Sequence, residues 1–180
     1  MNSTVLSFLA RRLTLAVVRR RRVLEVGSFD VNGSPRSVVI PLRPAEYIGV
    51  DLTSGPGVDR VCDGSALVDA FGRCSFDIVI STEMLEHAPD WRAVVTQMKR
   101  VLRPNGTLVV TTRSPGFPYH AFPGDCWRFT SDDFTRMFGD MHIEEVCEDP
   151  AEPGVFGCFR KKWQTEVPLE DMTIQPAPRA

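Results

Sequence analysis

The sequence predicts an α/β fold, a three-layer Rossmann-like sandwich whose mostly parallel sheet ends in a C-terminal antiparallel hairpin. Three observations point there. Short apolar, β-branched runs recur at residues 23–26, 46–51, 76–80 and 107–112, and helical patterns or turns separate them. The opening run leads into a glycine-bearing turn, Gly27 to Gly33, and a helix start at Ser34-Pro35. Acidic residues stand at the ends of the first three strands, as Glu25, Asp51 and Asp63. In an open α/β sheet the strand C-termini share one edge, and ligands bind there.

A chain of 180 residues suffices for one domain with a real core and is short for two. With 43% hydrophobic and 24% charged residues it reads as an ordinary globular protein. Residues 1–22 form a basic amphipathic segment, 23–163 the domain, and 164–180 a Pro-containing, aperiodic tail expected to be flexible. In the first segment Val5, Phe8, Leu9, Leu13, Val17 and Val18 fall at helical spacing before Arg19 to Arg22. That pattern suits a helix packed on the sheet, or a basic face touching a membrane surface or nucleic acid. No apolar run reaches the length of a membrane span, and Arg11 and Arg12 interrupt what would be a signal peptide. The five cysteines are dispersed, with no CxxC and no Cys/His pairing at metal spacing. Reduced thiols of a cytoplasmic protein are therefore expected, with neither disulfides nor a metal site.

The elements follow in order. Ser34 caps a short helix over 36–42, which Pro41 and Pro44 keep from extending. The strand over 46–51 is followed by Leu52-Thr53-Ser54-Gly55-Pro56-Gly57, which is turn chemistry, so the next crossover is a loop. A brief third strand spans 58–62, and a short helix over 65–71 is closed by Gly72. The fourth strand, 76–80, is apolar enough to be central. Asp90 caps the clearest helix, with Trp91, Val94, Val95, Met98 and Leu102 on one stripe and Pro104-Asn105-Gly106 as its stop. A fifth strand, 107–112, precedes a Pro-, Gly- and aromatic-rich connection over 113–128 that is too long to be an idle turn. Thr130 or Ser131 caps a helix ending at Gly139, and two strands, 141–147 and 155–163, close the sheet as a hairpin.

The acids at the sheet edge carry the chemistry. Asp51 lies roughly two dozen residues past Gly27, the offset at which such folds place a carboxylate on a ribose. An ionised carboxylate accepts from both ribose hydroxyls. Asp63 suits an adenine amino group, with Gly64 letting the ring approach. Glu25 suits an ammonium group or the backbone of the glycine turn, and disfavours a phosphate. A G-x-G-x-x-G turn is absent, which argues against a dinucleotide.

The strings VLEVGSFDVNGS, YIGVDLTSGPGVD, VCDGSAL, CSFDIVISTEMLEHAPDW and MKRVLRPNGTLVVTT together resemble the class I S-adenosylmethionine-dependent methyltransferases, most of all the type-eleven methyltransferase domain. The resemblance spans about residues 23–148. It implies S-adenosyl-L-methionine as cofactor, with Glu25, Gly27, Ser28 and Gly33 around its methionine part. It also places Asp51 and Leu52 on the ribose, Asp63 and Gly64 at the adenine, and Ser81 with Glu83 on the closing loop. The family's E-x-G-x-G-x-G turn is stretched here by Ser-Phe-Asp-Val-Asn between Gly27 and Gly33, which leaves the role of Asp30 open.

The implied activity is methyl transfer to an oxygen or nitrogen of a small molecule, such as a sugar or secondary metabolite. His120 and His87 are the candidate general bases. Glu86-His87 reads first as a brace for its loop and a cap for the following helix, which makes His120 the better base candidate. Tyr119, Asp125, Trp127 and Arg128 lie where the family builds its acceptor site, although Trp127-Arg128 also reads as an anchor to the core. Two alternatives stand beside this: a non-catalytic, cofactor- or partner-binding relative, and a nicotinamide-dependent oxidoreductase. Nothing beyond the catalytic domain is present to grip a polymer, so a nucleic-acid substrate is not expected. The oligomeric state is left open.

Overall fold

The computed structural model describes residues 2–121, 124–163 and 166–178. Its main sheet contains β1 (Arg22–Val26), β2 (Glu46–Asp51), β3 (Arg60–Val61), β4 (Phe76–Thr82), β5 (Leu102–Arg113), β7 (His142–Glu148) and β8 (Gly154–Arg160), in the order β3-β2-β1-β4-β5-β8-β7. The first five strands run parallel, while β8 pairs antiparallel with both β5 and β7. The chain moves outward from β1 to β3 and then returns to the other side of β1 with β4. The strand order therefore reverses between β1 and β4, and the crevice above their C-terminal ends is the place for a ligand.

Side chains alternate across the sheet with the period of two that strands impose. Leu24, Val79, Leu108, Val110 and Phe159 face one layer, and Val23, Ile78, Ile80, Val109 and Phe156 face the other. The first layer holds α4 (Leu67–Phe71), α5 (Trp91–Val101) and α6 (Ser131–Met137). The second is built from α1 (Ser3–Arg12), α2 (Leu15–Val18) and α3 (Arg36–Val39). Buried Val5, Phe8, Leu9, Leu13 and Val18 give α1 and α2 their place on the sheet. Arg11 and Arg12 pair with Glu145, Arg21 with Asp77 and Arg22 with Glu46. The apolar face of the N-terminal segment is thus spent on its own sheet. Among the described residues no helix is long and apolar enough to cross a membrane.

Local chemistry explains the helix starts. Asp90 Oδ1 accepts from the Ala93 amide at 3.1 Å, and Thr130 forms a reciprocal capping box with Asp133. Ser34 Oγ accepts from the Arg36 amide at 3.2 Å ahead of α3, with Pro35 in helical geometry, and a 3₁₀ turn, Ile40–Leu42, takes up Pro41. Two expectations need correction. The third strand is two residues long, not five. Pro104-Asn105-Gly106 does not lie between helix and strand, because β5 already begins at Leu102. Asn105, at φ 62, and an irregular register between Phe76↔Leu102 and Ile78↔Thr107 absorb the extra residues as a bulge.

The tail also differs from its expectation. Leu169, Met172 and Ile174 are buried in the core on the side of α5, and β9 (Gln175–Pro176) pairs antiparallel with β6 (Trp127–Arg128). Arg92 Nε donates to the Leu169 carbonyl at 2.9 Å, and Arg100 pairs with Glu166 at 2.9 Å. Scattered apolar residues without periodicity suffice to anchor an irregular segment that lies across a helix instead of forming one.

Candidate functional site

The strand ends at the reversal point surround a cavity of 730 Å³, within the size range of small-molecule sites. Val26 and Gly27 of β1, Val50 and Asp51 of β2, and Asp63-Gly64 after β3 line it, closed by Met84, His87 and Val94. Gly27 stands at φ +82, and a Cβ there would lie 2.3 Å from Met84 Cγ. The turn therefore requires glycine for both its backbone angle and the approach of Met84. At Gly64 a Cβ would fall 3.2 Å from Val94 and 3.3 Å from Val26, a tight floor under that end of the cavity.

Five backbone donors of the first turn are already committed. Gly27 and Ser28 amides both donate to the Val50 carbonyl, at 2.9 and 3.0 Å, and the Asp30 amide donates to Pro56 O at 2.8 Å. Phe29 N donates to Asp51 Oδ2 at 3.1 Å, and Gly33 N to Asp30 Oδ1 at 2.7 Å. Asp30 thus shapes its own turn. These amides leave no nest for a pyrophosphate, and α3 behind them is only four residues long. Asp51 keeps acceptor capacity on both oxygens, since Oδ1 accepts only the Leu52 amide, at 2.7 Å. Asp63 Oδ1 accepts from the Ser65 amide at 2.8 Å. Leu52 and Val31, both more than half exposed, stand at the mouth.

A second group of side chains lies beside this cavity. The turn Leu85–His87 is fastened to residues 124–127 by Cys126 N donating to Glu86 O at 2.9 Å and Trp127 Nε1 donating to Ala88 O at 3.0 Å. His87 Nδ1 bonds the Gly124 carbonyl. His120 Nδ1 donates to Asp125 Oδ2 at 3.1 Å, and the His120 amide donates to the same oxygen at 2.9 Å. Glu86 is fully buried; Oε2 accepts from Thr112 Oγ1 at 2.6 Å, while Oε1 has no hydrogen-bond partner. Burial pushes the Glu86 carboxyl above the usual carboxylate range. Burial also lowers His120, against the opposing pull of Asp125.

A family model described as a methyltransferase domain matches residues 43–110. The chain is 31% identical over 105 residues to the ubiquinone biosynthesis O-methyltransferase of Idiomarina loihiensis, a match covering 51% of this chain and 42% of that protein. It is 32% identical over 113 residues to the fatty-acid O-methyltransferase of Mycolicibacterium smegmatis, covering 57% of this chain and 40% of that one. The chain thus spans less than half the length of these curated relatives. Among solved structures, the 1,6-didemethyltoxoflavin-N1-methyltransferase of Burkholderia thailandensis, with S-adenosylhomocysteine bound, superposes with a TM-score of 0.68. Identity there is 17%, with 89% of this chain and 79% of that one covered. The chain has the fold of the class I methyltransferases, and its residues 43–110 match a methyltransferase domain. The fold has other uses, since the [4+2]-cyclase SpnF superposes with a TM-score of 0.69 at 13% identity, over 88% of this chain and 80% of that one.

Within this fold the expected site residues divide. Gly27, Asp51, Leu52, Asp63, Gly64 and His87 line the cavity, whereas Glu25, Ser28, Gly33, Ser81 and Glu83 do not. Glu25 sits behind the turn, where Tyr47 Oη donates to it at 2.7 Å. Ser28 and Ser81 are buried with their hydroxyls unpartnered. Glu83, at φ 53, pairs with Arg113 and accepts from Thr111 Oγ1 at 2.9 Å. Arg128 is not free for a substrate either. Its guanidinium is buried on Asp125 and on the Phe117, Pro118 and Trp127 carbonyls. Tyr119 remains exposed. Phe29, Val31 and Met84 line the cavity unforeseen; the signal for Val31 was a large apolar residue inside a turn.

Glu25 carries a pH signature of its own. Burial raises its carboxyl from 4.5 to about 7, outweighing the Tyr47 hydrogen bond. Between those values the folded state keeps a proton that the unfolded chain gives up, so stability falls as pH rises through that window. Melting curves from pH 5 to 8 should show Glu25→Gln with a flatter profile, more stable than wild type above pH 7 by about 2–3 kcal/mol. Parallel profiles would contradict this assignment.

Proposed function

We propose that this domain binds S-adenosyl-L-methionine in the 730 Å³ cavity and transfers its methyl group to an oxygen or nitrogen atom of a small molecule. The observation that carries the reading is the wiring of the turn after β1. Five of its amides are consumed internally while Asp51 presents free acceptor positions, an arrangement suited to a nucleoside without phosphates. Asp51 would take the ribose hydroxyls and Asp63 the adenine amino group, with Leu52 and Val94 against the ring faces. Gly27 and Met84 would hold the methionine part near His87. The cofactor supplies an activated methyl group. The chain's own residues bind it, exclude water and set the acceptor in line with it.

The O-methyltransferase relatives support this reading, and so does the neighbour that holds S-adenosylhomocysteine. Isothermal titration should show S-adenosylhomocysteine binding and no NAD binding; the reverse result would remove the proposal. Asp51→Ala should weaken the homocysteine product by about 10–100-fold, the loss of one to two good hydrogen bonds to a charged group. The fold shared with a [4+2]-cyclase shows that it serves other reactions, so the second reading kept is a relative that binds the cofactor without transferring its methyl group. Labelled S-adenosylmethionine incubated with cell extracts separates the two, since tight binding with no label transferred would favour the second.

A further inference from the structure

The group beside the cavity has a feature that methyl transfer by itself does not require. Glu86, His87 and His120 each offer one ligand atom within 4.8 Å of the others. Both imidazoles have their Nδ1 occupied, His87 by the Gly124 carbonyl and His120 by Asp125, which leaves each Nε2 as the free nitrogen. Those two Nε2 atoms lie 4.0 and 3.9 Å from Glu86 Oε1, the buried oxygen without a hydrogen-bond partner. Three donor atoms thus converge, each oriented by an outer partner: a carbonyl, a carboxylate and Thr112. Carboxylate or carbonyl bonded to the far nitrogen of a histidine is the arrangement that orients metal-binding imidazoles. A buried carboxylate oxygen with no donor calls for a cation or a proton.

We infer that Glu86, His87 and His120 form a divalent metal site, with open coordination positions on the side of the cavity where an oxygen of the acceptor binds. Two nitrogens and one carboxylate suit a first-row ion such as Mn²⁺, Fe²⁺, Co²⁺ or Zn²⁺ better than Ca²⁺. Around an ion with bonds of about 2.1 Å, ligand atoms stand about 3–3.5 Å apart, so the three groups need close by only about 1 Å. His120 is the most exposed of the three, at 35% of its side chain, which leaves that flank open to a ligand. The metal site stands independently of the methyl-transfer reading; the acceptor role rests on it. An ion there would bind a hydroxyl oxygen and lower its pKa, so that its proton passes to solvent. The oxygen lone pair then forms the new O–C bond, and the S–C bonding pair returns to sulfur.

The test uses the full chain, stripped by dialysis against a chelator and titrated with Co²⁺, with Mn²⁺ and Zn²⁺ as competitors. One bound equivalent with visible d–d bands is expected. His120→Ala and Glu86→Gln should each lower the affinity by at least about 100-fold, since even outer partners of metal-bound histidines are worth 10–100-fold. S-adenosylhomocysteine binding by the same variants, unchanged from wild type, reports that they are folded. Catechol, a chelating hydroxyl probe, should shift the Co²⁺ bands of the wild type. Absence of metal binding in a wild type that still binds S-adenosylhomocysteine would overturn the site, as would equal affinity in both variants. Bands that ignore catechol would overturn the acceptor role. Metal binding in a protein that fails to bind S-adenosylhomocysteine would instead overturn the methyl-transfer reading and leave the site standing.

Discussion

Replacing Gly27 by alanine is expected to abolish measurable S-adenosylhomocysteine binding. Two effects add. The residue stands at φ +82, where an L side chain costs about 1–2 kcal/mol. The new methyl carbon would also fall 2.3 Å from Met84 Cγ and 2.6 Å from Met84 Cβ. Those atoms lie near the backbone, so Met84 cannot swing only its far end away; it must move as a unit, and it lines the cavity. Each 1.4 kcal/mol lost is about tenfold in affinity, which makes a loss beyond 100-fold the expected titration result. Gly64→Ala is the graded comparison. Its contacts of 3.2 and 3.3 Å involve branched side chains that can yield by a few tenths of an ångström, so a smaller loss is expected there. Equal and slight effects at both positions would mean that the cavity floor is softer than its geometry.

The second large effect concerns stability. Asp125→Ala leaves Arg128 buried beside carbonyls with its counter-charge gone, after loss of the 2.7 Å bond from Nη2 to Asp125 Oδ2. Breaking a buried pair from one side costs about 3–5 kcal/mol. For a chain of this size that corresponds to a fall in Tm of roughly 6–20 °C. The pair also has an acid limit. Burial alone would raise the Asp125 carboxyl, but the Arg128 hydrogen bonds outweigh it and bring it to about 2, below its unfolded value of 3.8. Its contribution is therefore complete above the unfolded pKa and disappears as pH falls from about 4 toward 2. Acid titration of wild type against Arg128→Lys, followed by circular dichroism, should place the earlier unfolding in the variant. An unchanged Tm in Asp125→Ala would show that the 114–128 connection is held by other contacts.

Much of the scaffold was legible because its signals are local. Apolar β-branched runs, Asp90 ahead of an amphipathic stripe and Thr130 ahead of Asp133 each act within a few residues, and each formed the element expected. The strand-end acids were equally readable as positions, and Asp51 and Asp63 do reach the cavity. Their partners were not readable. Nothing near Glu25 announces that Tyr47 in the neighbouring strand claims its carboxylate, or that Val50 takes two amides from the glycine turn. His120 meets Glu86 only because the 113–128 connection folds back over the end of β4, a long-range event with no sequence period. Arg128 looked like an acceptor contact because it is charged and lies in that connection. Burial turned it into the connection's anchor.

Leu169, Met172 and Ile174 have a consequence for the order in which the molecule assembles. They complete the layer that holds α5, and they follow every strand of the main sheet in the chain. During vectorial synthesis the opposite layer has its helices from the start and waits only for strands to receive them. The α5 side keeps an open apolar flank until these residues emerge, and β6 beside Asp125 waits as long for the β9 strand that pairs with it. Nascent chains stalled before residue 166 should therefore be protease-sensitive around 114–128 even where the parallel strands are already formed.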